Sequence, residues 1–194
     1  MRAESTYSQS LPDEELIRLC QERLPGDPRP FYALVVRYRD RVMNTAHRIL
    51  GDPRDAEDMA QEVFLKVYRG LPDFRGESSF STWLYRITIN ACKNELRRRS
   101  RRPTLLEPDL ESLGLLLPAA PSTEQAVTTR EQRDAIQETL DRLSETDREA
   151  LILRDVQDLS CQEIAETLGT GLSAAKMRVQ RARLAFRELY GRET

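Results

Sequence analysis

Apolar residues recur every three or four positions along most of the chain, which is the spacing of one face of an α-helix. Strict alternation of apolar and polar residues is nowhere sustained, so the pattern predicts no strands. Residues 103–129 depart from the helical spacing, because four prolines interrupt a mixed acidic, Leu-rich and Ala/Ser/Thr-rich stretch. We therefore predict an all-α protein with two small helical domains joined by a flexible linker. The predicted parts are a disordered amino terminus at 1–10, a first domain at 11–102, the linker at 103–129 and a second domain at 130–191.

The first domain is predicted to be a four-helix bundle. Residues 12–24 can form a short helix, and a longer helix starts after Pro30 and ends at Gly51. Asp52 precedes a proline and is typical of the N-cap of the next helix. The last helix, residues 80–102, follows a short loop.

The last helix of the first domain has two distinct faces on a helical wheel. The apolar residues Phe80, Leu84, Ile87 and Ala91 share one arc and are predicted to be buried. Beside them lies a polar stripe that combines an aromatic ring, two amides and several guanidinium groups, namely Trp83, Arg86, Asn90, Asn94, Arg97 and Arg101. Such side chains can stack on unpaired bases, hydrogen-bond base edges and hold the phosphate backbone. The open alternative is that Trp83 anchors the bundle and the others form an ordinary polar flank.

The second domain has the pattern of a helix-turn-helix. Ser160 and Glu163 have the spacing of a capping box, and Gly169 ends the helix that they begin. After a tight turn, Ser173 is the expected cap of a basic helix that runs to about Tyr190. Its predicted buried residues follow steps of three and four and are Ala175, Val179, Ala182, Phe186 and Leu189.

The exposed side of this basic helix suits the major groove of a DNA duplex, in which Arg reads guanine and Gln reads adenine. The candidate base-facing residues are Ser173, Met177, Gln180 and Arg181. The candidate phosphate contacts are Lys176, Arg178 and Arg183. The alternative is a basic helix that docks on an acidic partner.

Charge is distributed unevenly along the 194 residues, although the whole chain carries a net charge of only -2. Residues 86–102 carry a net charge of +6 and residues 176–187 one of +5, whereas residues 104–150 carry -7. Two separate basic patches are typical of two modules that each contact a polyanion. A low net charge disfavours a protein that binds DNA unaided, because neutralising phosphates drives such binding.

Several protein classes and kinds of site are disfavoured by composition. No apolar run approaches the roughly 18 residues of a membrane-spanning helix, and residues 1–10 lack a secretory signal, so we expect a cytoplasmic protein without membrane insertion. One histidine and three widely spaced cysteines, Cys20, Cys92 and Cys161, supply neither a disulfide framework nor the usual ligands of a metal site. We expect no metal and no cofactor.

Three segments in this order resemble a bacterial extracytoplasmic-function (ECF) sigma factor. They are the acidic segment at 55–64 (DAEDMAQEVF), the segment at 74–87 (FRGESSFSTWLYRI) and the segment at 159–165 (LSCQEIA). The resemblance covers about residues 13–102 and 130–190. It implies an alternative sigma factor that is not an enzyme, binds core RNA polymerase and opens promoter DNA at the -10 element.

The resemblance also implies a role for each candidate residue. The helix that docks on the β′ clamp helices would present Asp55, Asp58, Gln61, Glu62 and Phe64. Capture of a flipped base at the -10 element would fall to Phe74, Arg75, Ser79 and Phe80 together with Trp83, Arg86, Asn90, Asn94 and Arg97. The last helix would read the -35 element through Ser173, Lys176, Met177, Arg178, Gln180, Arg181 and Arg183.

The second domain departs from the family at the start of its last helix, where Gly171 and Ser173-Ala174-Ala175 replace the usual Pro and Gly-Thr-Val, so the -35 sequence cannot be carried over. The family's linker runs toward the RNA exit path of the polymerase, a basic channel that would suit Glu107, Asp109 and Glu111. Binding to the polymerase β subunit and to an anti-sigma factor are further expectations from the resemblance.

Two other functions remain open from the residues alone. A stand-alone helix-turn-helix regulator would use the first domain to sense a ligand, although no heptad seam provides a dimer. A metal-dependent nuclease would use Asp52, Asp55, Asp58 and Glu62, which lie three and four residues apart on one predicted helix. Lys66 follows Glu62 at the next helical position and favours a solvated or docking face instead.

Overall fold

The computed structural model describes residues 11–101 and 130–191. The predicted disordered terminus and the linker lie outside the described residues. Within them every regular element is helical, as predicted. The α-helices are α1 (Asp13–Arg23), α2 (Arg29–Leu50), α3 (Pro53–Gly70), α4 (Phe80–Arg101), α5 (Arg130–Asp141), α6 (Glu145–Leu151), α7 (Cys161–Leu168) and α8 (Leu172–Tyr190). A 3₁₀ turn spans Leu71–Asp73, and a π-helical turn spans Ile152–Val156.

The helices of the first domain begin and end at capping residues in the sequence, and they pack through their apolar faces. Gly51 ends α2 in the left-handed region at φ +80°, a conformation that glycine adopts without strain. Asp52 then caps α3, because its side chain accepts hydrogen bonds from the backbone N–H groups of Arg54 and Asp55 at 2.8 and 3.1 Å. Helices α1 to α4 bury large apolar side chains against each other, including Leu16, Leu34, Val63, Phe64 and Leu84.

The second domain confirms the predicted capping box. The Ser160 hydroxyl accepts a bond from the Glu163 backbone N–H at 3.2 Å, and the Glu163 carboxylate accepts one from the Ser160 N–H at 2.8 Å. Gly169 ends α7 at φ +63°. Ser173 does not cap α8, because the helix already begins at Leu172 and Gly171 occupies the N-cap without a side-chain bond.

Some predicted core positions are less buried than expected, and others are more buried. Phe186 and Leu189 are half-buried, since they lie near the end of α8, where few elements cover them. Ile87 is also half-buried, whereas Tyr85 and Ile89 on the same helix are buried. The reason is that α4 contacts α7 as well as α2 and α3, so its buried surface extends beyond a single stripe.

The two domains pack against each other through one continuous hydrophobic cluster that includes Ile152, Leu153 and Ile164 of the second domain. A buried polar contact crosses the boundary, because the Tyr85 hydroxyl donates to Gln157 Oε1 at 2.6 Å. Gln157 Nε2 in turn donates to Thr45 Oγ1 at 3.0 Å. These buried groups satisfy one another's hydrogen bonds, so they specify how the two domains pack. We call this arrangement of the two domains the closed packing.

Candidate nucleic-acid and polymerase interfaces

A surface pocket of about 320 Å³ lies between the loop that precedes α4 and the first turns of α4. We call it the base pocket. It is lined by Asp73, Phe74, Arg75, Gly76, Glu77, Ser78, Trp83 and Arg86. Four of these residues, Phe74, Arg75, Trp83 and Arg86, belong to the predicted -10 set. The other four were not singled out, although all but Asp73 fall inside the loop that the sequence places before the helix.

Aromatic packing fixes the inner wall of the base pocket. The rings of Phe74 and Trp83 lie 4.9 Å apart, and the ring of Phe80 lies 5.9 Å from that of Trp83. Trp83 remains half-buried and therefore keeps part of its ring open to the pocket. A tryptophan held in this way can stack on a planar base at little cost in side-chain entropy.

The backbone of the loop is shaped by particular residues. Gly76 has φ +71°, in the left-handed region, where a side chain would be strained. At the end of the loop the Ser79 hydroxyl accepts a hydrogen bond from the backbone N–H of Thr82 at 3.1 Å and so caps α4. Ser79 therefore has a structural task, and it does not line the base pocket.

The remaining members of the polar stripe extend along α4 away from the base pocket. Asn90, Asn94 and Arg97 are exposed. At 1.5 Å of rise per residue, about 21 Å separate Trp83 from Arg97 along the helix, so the stripe is long enough to span several nucleotides. The prediction for Phe80 needs correction, because its side chain is only 4% exposed and supports Trp83 from the core.

Arg86 is engaged by the second domain in the closed packing. Its Nη2 donates to the backbone carbonyl of Glu166, at the end of α7, at 2.7 Å. This bond holds one member of the base pocket against a helix of the helix-turn-helix. A nucleic acid that uses Arg86 must replace Glu166 as its partner.

The exposed face of α3 carries the predicted polymerase-docking carboxylates. Asp58 is exposed, Gln61 is half-buried, and Glu62 pairs with Lys66 at 2.5 Å. Asp55 lies 2.8 Å from the guanidinium of Arg99 on α4. Phe64 cannot take part in docking as predicted, because it is 1% exposed and packs in the core of the bundle.

These carboxylates do not assemble a metal centre. Asp52 is occupied with capping α3, and the backbone N–H bonds from Asp55 and Arg54 hold the pKa of its carboxyl below the usual value. Asp55 and Glu62 have cationic partners of their own. Among residues 11–101 and 130–191, no group of three or more His, Cys, Asp or Glu side chains could hold a metal ion.

The amino-terminal half of α8 presents most of its predicted reading residues to solvent. Ser173, Lys176 and Gln180 are exposed, Met177 is 71% exposed, and Arg178 is half-buried. Ala175, Val179 and Ala182 bury the opposite face, as predicted. Helix α8 therefore packs on the domain through small residues and exposes its longer side chains to solvent, as a helix that enters the major groove must.

Two arginines of α8 are held by acids of their own domain. Arg181 forms a bidentate pair with Asp147 at the start of α6, in which Nη2 donates to Oδ1 at 2.6 Å and Nε donates to Oδ2 at 3.1 Å, and Arg183 pairs with Asp155. Burial alone would raise the pKa of Asp147, but the bonds from Arg181 and Ser144 outweigh it and leave that pKa below the usual value. Sequence reasoning did not foresee these pairs, because their partners are 28 and 34 residues apart in the chain.

Among residues 11–101 and 130–191, no helix is both long and apolar enough to span a bilayer.

Comparison with known protein families matches both domains. The model of Sigma-70 region 2 matches residues 34–102, and a model of Sigma-70 region 4 matches residues 133–186. The chain is 36% identical to the RNA polymerase sigma-H factor of Pseudomonas aeruginosa over 179 residues, which cover 90% of this chain and 91% of the relative. It is also 36% identical to the ECF RNA polymerase sigma-E factor of Escherichia coli, over 92% of this chain and 94% of the relative.

Two solved structures share the fold. CnrH, in complex with the cytosolic domain of CnrY, superposes with a TM-score of 0.70 and 23% identity, and the match covers 94% of this chain and 99% of CnrH. The sigma factor RpoE of Bartonella quintana, in complex with the anti-sigma factor NepR, gives a TM-score of 0.65 and 22% identity, covering 82% and 95% of the two chains.

Proposed function

The chain belongs to the ECF family of RNA polymerase sigma factors, and we propose how its residues divide the work of that function. As an alternative sigma factor it binds core RNA polymerase, recognises promoter elements and directs transcription initiation. The observation that carries our division of roles is the base pocket beside Trp83, next to a polar stripe on α4.

The base pocket receives one flipped base of the -10 element. Extruding a base costs a few kcal/mol of lost stacking, which stacking on Trp83 and contacts to the loop would offset. Beyond the pocket, Asn90 and Asn94 contact the neighbouring bases of the opened strand, while Arg97 holds its phosphates.

The amino-terminal half of α8 reads the -35 duplex. Met177 and Gln180 face the base edges, and Lys176 and Arg178 bind phosphates. Arg181 and Arg183 join them only when DNA phosphate replaces Asp147 and Asp155, so their share in affinity is reduced by the ion pairs they give up.

The acidic face of α3 docks on the polymerase. Asp58, Gln61 and Glu62 lie within two helical turns of the half-buried Leu65, a surface suited to a basic helical partner such as the β′ clamp helices. Asp55 contributes after it exchanges Arg99 for a partner on the polymerase.

Reading both promoter elements requires the two domains to separate. The -35 and -10 positions are about 25 base pairs apart, which is about 85 Å of B-DNA. In the closed packing Arg86 touches Glu166, and the six peptide steps from Glu166 to Leu172 can span only about 20 Å. We infer that core polymerase holds the open form, because only that form brings both reading surfaces to their elements.

We further propose that an anti-sigma factor stabilises the closed packing in the cytoplasm. The Bartonella quintana relative of this fold is bound by such a factor. In our proposal the chain carries no catalytic activity and needs no cofactor, since the polymerase performs the chemistry.

The proposal is tested by transcription with purified chain and core RNA polymerase on a library of genomic fragments, followed by sequencing of the transcript starts. We expect new start sites that share a -10 and a -35 motif and that core enzyme alone does not use. If the start sites are unchanged and the pure chain instead binds a specific duplex tightly, the stand-alone regulator is the better interpretation. A charge-reversed Asp58→Arg, Glu62→Arg chain is the control that should not redirect the polymerase.

A further inference from the structure

Helix α1 has no task in the function proposed so far, yet it touches the loop of the base pocket. Gln21, near its carboxyl end, reaches across to the loop, and its Nε2 donates to the backbone carbonyl of Leu71 at 3.1 Å and to that of Phe74 at 2.8 Å. Because both partners are acceptors, the amide nitrogen and not the amide oxygen must face them.

The two carbonyls stand at the beginning of the loop. Leu71 opens the 3₁₀ turn, and Phe74 is the first residue after it. At the other end, Ser79 fixes the loop by capping α4. Gln21 and Ser79 therefore hold the two ends of a segment whose middle contains the left-handed Gly76.

Packing secures the start of the loop, where Leu71 is fully buried and Phe74 packs against the core cluster, but the residues that follow stand apart from α1. A cavity of about 410 Å³ separates α1 from the loop, with Ile17 and Arg18 on one side and Arg75 and Ser78 on the other. The Gln21 side chain bridges α1 and the loop through its two hydrogen bonds, and we call this bridge the strut. The helix that carries it is firmly seated, since Leu16 and Cys20 are fully buried and Asp13 binds both Arg37 and Tyr38 of α2.

We propose that Gln21 is a positioning residue for base capture, a role that rests on the -10 function proposed above. Gln21 does not line the base pocket. It acts through Phe74, whose ring packs on Trp83, and so holds the loop wall of the base pocket in place beside Trp83. Without this strut the loop must be ordered by the base itself, which lowers affinity for the captured base.

The test uses holoenzyme and single-stranded oligonucleotides taken from the strongest promoter found by start-site sequencing. One oligonucleotide carries the cognate base at the captured position, and the other is abasic there. The measured quantity is the ratio of the two affinities, together with the melting temperature of the free chain and its affinity for core polymerase. Gln21→Met keeps the length of the side chain and removes the donor, and Glu22→Gln, one exposed residue further along, is the matched control.

We expect Gln21→Met to lower the affinity ratio about five- to tenfold, the effect of losing two neutral hydrogen bonds. Glu22→Gln should leave the ratio at the wild-type value, and core affinity should not change in either variant. A second variant, Gln21→Glu, points a carboxylate at two carbonyls. It should lower the ratio further at pH 8 and recover toward Gln21→Met as the pH falls and the carboxyl is protonated.

The role is overturned if Gln21→Met leaves the ratio unchanged, or if both affinities fall together with the melting temperature, as a merely structural residue would cause. If the wild-type holoenzyme does not distinguish the abasic from the cognate oligonucleotide, the base-capture function itself fails, a result that differs from either of these.

Discussion

The two surfaces that we propose to read DNA differ in how far their side chains extend from the core. Around the base pocket, Trp83 is half-buried and braced by Phe74 and Phe80, whereas on α8 Met177 is 71% exposed. An extruded base has lost its stacking and must find walls that already exist. The edges of a duplex are accessible in the major groove, so a helix needs only long side chains that reach them. In our proposal the pocket therefore suits an extruded base of opened DNA, and the exposed side chains of α8 suit the base edges of a duplex.

The largest effect is expected where the pocket and the polar stripe are removed together. Replacing Trp83, Asn90 and Asn94 by Ala should lower the yield of open complex by more than a hundredfold, because one stacking contact of about 1–3 kcal/mol and two sets of edge contacts are lost. Permanganate reactivity of the -10 thymines measures it. Binding to core polymerase should be retained.

Since Trp83 also packs on Phe74, the double variant Asn90→Ala, Asn94→Ala separates recognition from folding. Both asparagines are exposed, so the melting temperature should stay at the wild-type value while opening is still reduced. Normal promoter opening by the triple variant would contradict the proposed role of the base pocket and the polar stripe.

A smaller effect is expected on the surface that reads no DNA. Asp58→Arg with Glu62→Arg should weaken binding to core polymerase by about ten- to a hundredfold, because like charges would then face a basic partner. Glu57→Arg, near the opposite edge of the exposed face of α3, is the matched control. Fluorescence anisotropy of labelled chain gives both affinities. Because the double variant reverses two charges and the control one, an equal loss of binding free energy per reversed charge would show that only net charge matters.

On α8 the expected effect of a substitution on DNA affinity and on stability depends on the partner that the residue has in the free chain. Gln180→Ala should cost about 1–3 kcal/mol at one base pair of the -35 element and little elsewhere, whereas Lys176→Ala should weaken all sequences alike and reduce the salt dependence by about one ion. Arg181→Ala should lower the melting temperature as well, since it strands the partly buried Asp147. Holoenzyme binding to -35 variants at several salt concentrations distinguishes the three.

Much of the fold could be predicted from local signals. Asp52, Ser160 with Glu163, Gly51 and Gly169 act on their own neighbours, so the sequence shows where helices begin and end. The prediction of Ser173 as the cap of α8 was wrong for a local reason too. Gly171 occupies the N-cap, and glycine can begin a helix without any side-chain hydrogen bond. The packing of one domain on the other leaves no such local mark, since Tyr85 and Gln157 meet across 72 residues.

The candidate site was predictable to the extent that it lies on one helix. The polar stripe follows from the helical wheel, but Phe64 and Phe80 show that a motif residue can serve a surface from the core. Gln21 had no signal at all, because a glutamine on an amphipathic helix is unremarkable until its carbonyl partners 50 and 53 residues away are seen.

The smallest effect is expected where the two domains meet. Glu149 of α6 is 1% exposed and lies 3.1 Å from Nζ of Lys93 on α4, which also faces Glu145 at 3.8 Å. Burial raises the pKa of Glu149, and Lys93 and Arg178 only partly oppose this. The folded chain therefore binds this proton more tightly than the unfolded chain does.

The contribution of this proton to stability is complete below the unfolded pKa and is lost as the pH rises through the raised folded pKa. Glu149→Gln should remove this loss, so that the variant gains unfolding free energy relative to the wild type as the pH rises from about 4.5, the ordinary pKa of the carboxyl, toward neutral. Urea denaturation across this range measures it. Glu145→Gln, which faces the same lysine from an exposed position, should change the slope less, because the charge of Glu145 raises the pKa of Glu149 by less than burial does. If both variants have the same slope as the wild type, the buried contact between the domains is indifferent to protonation.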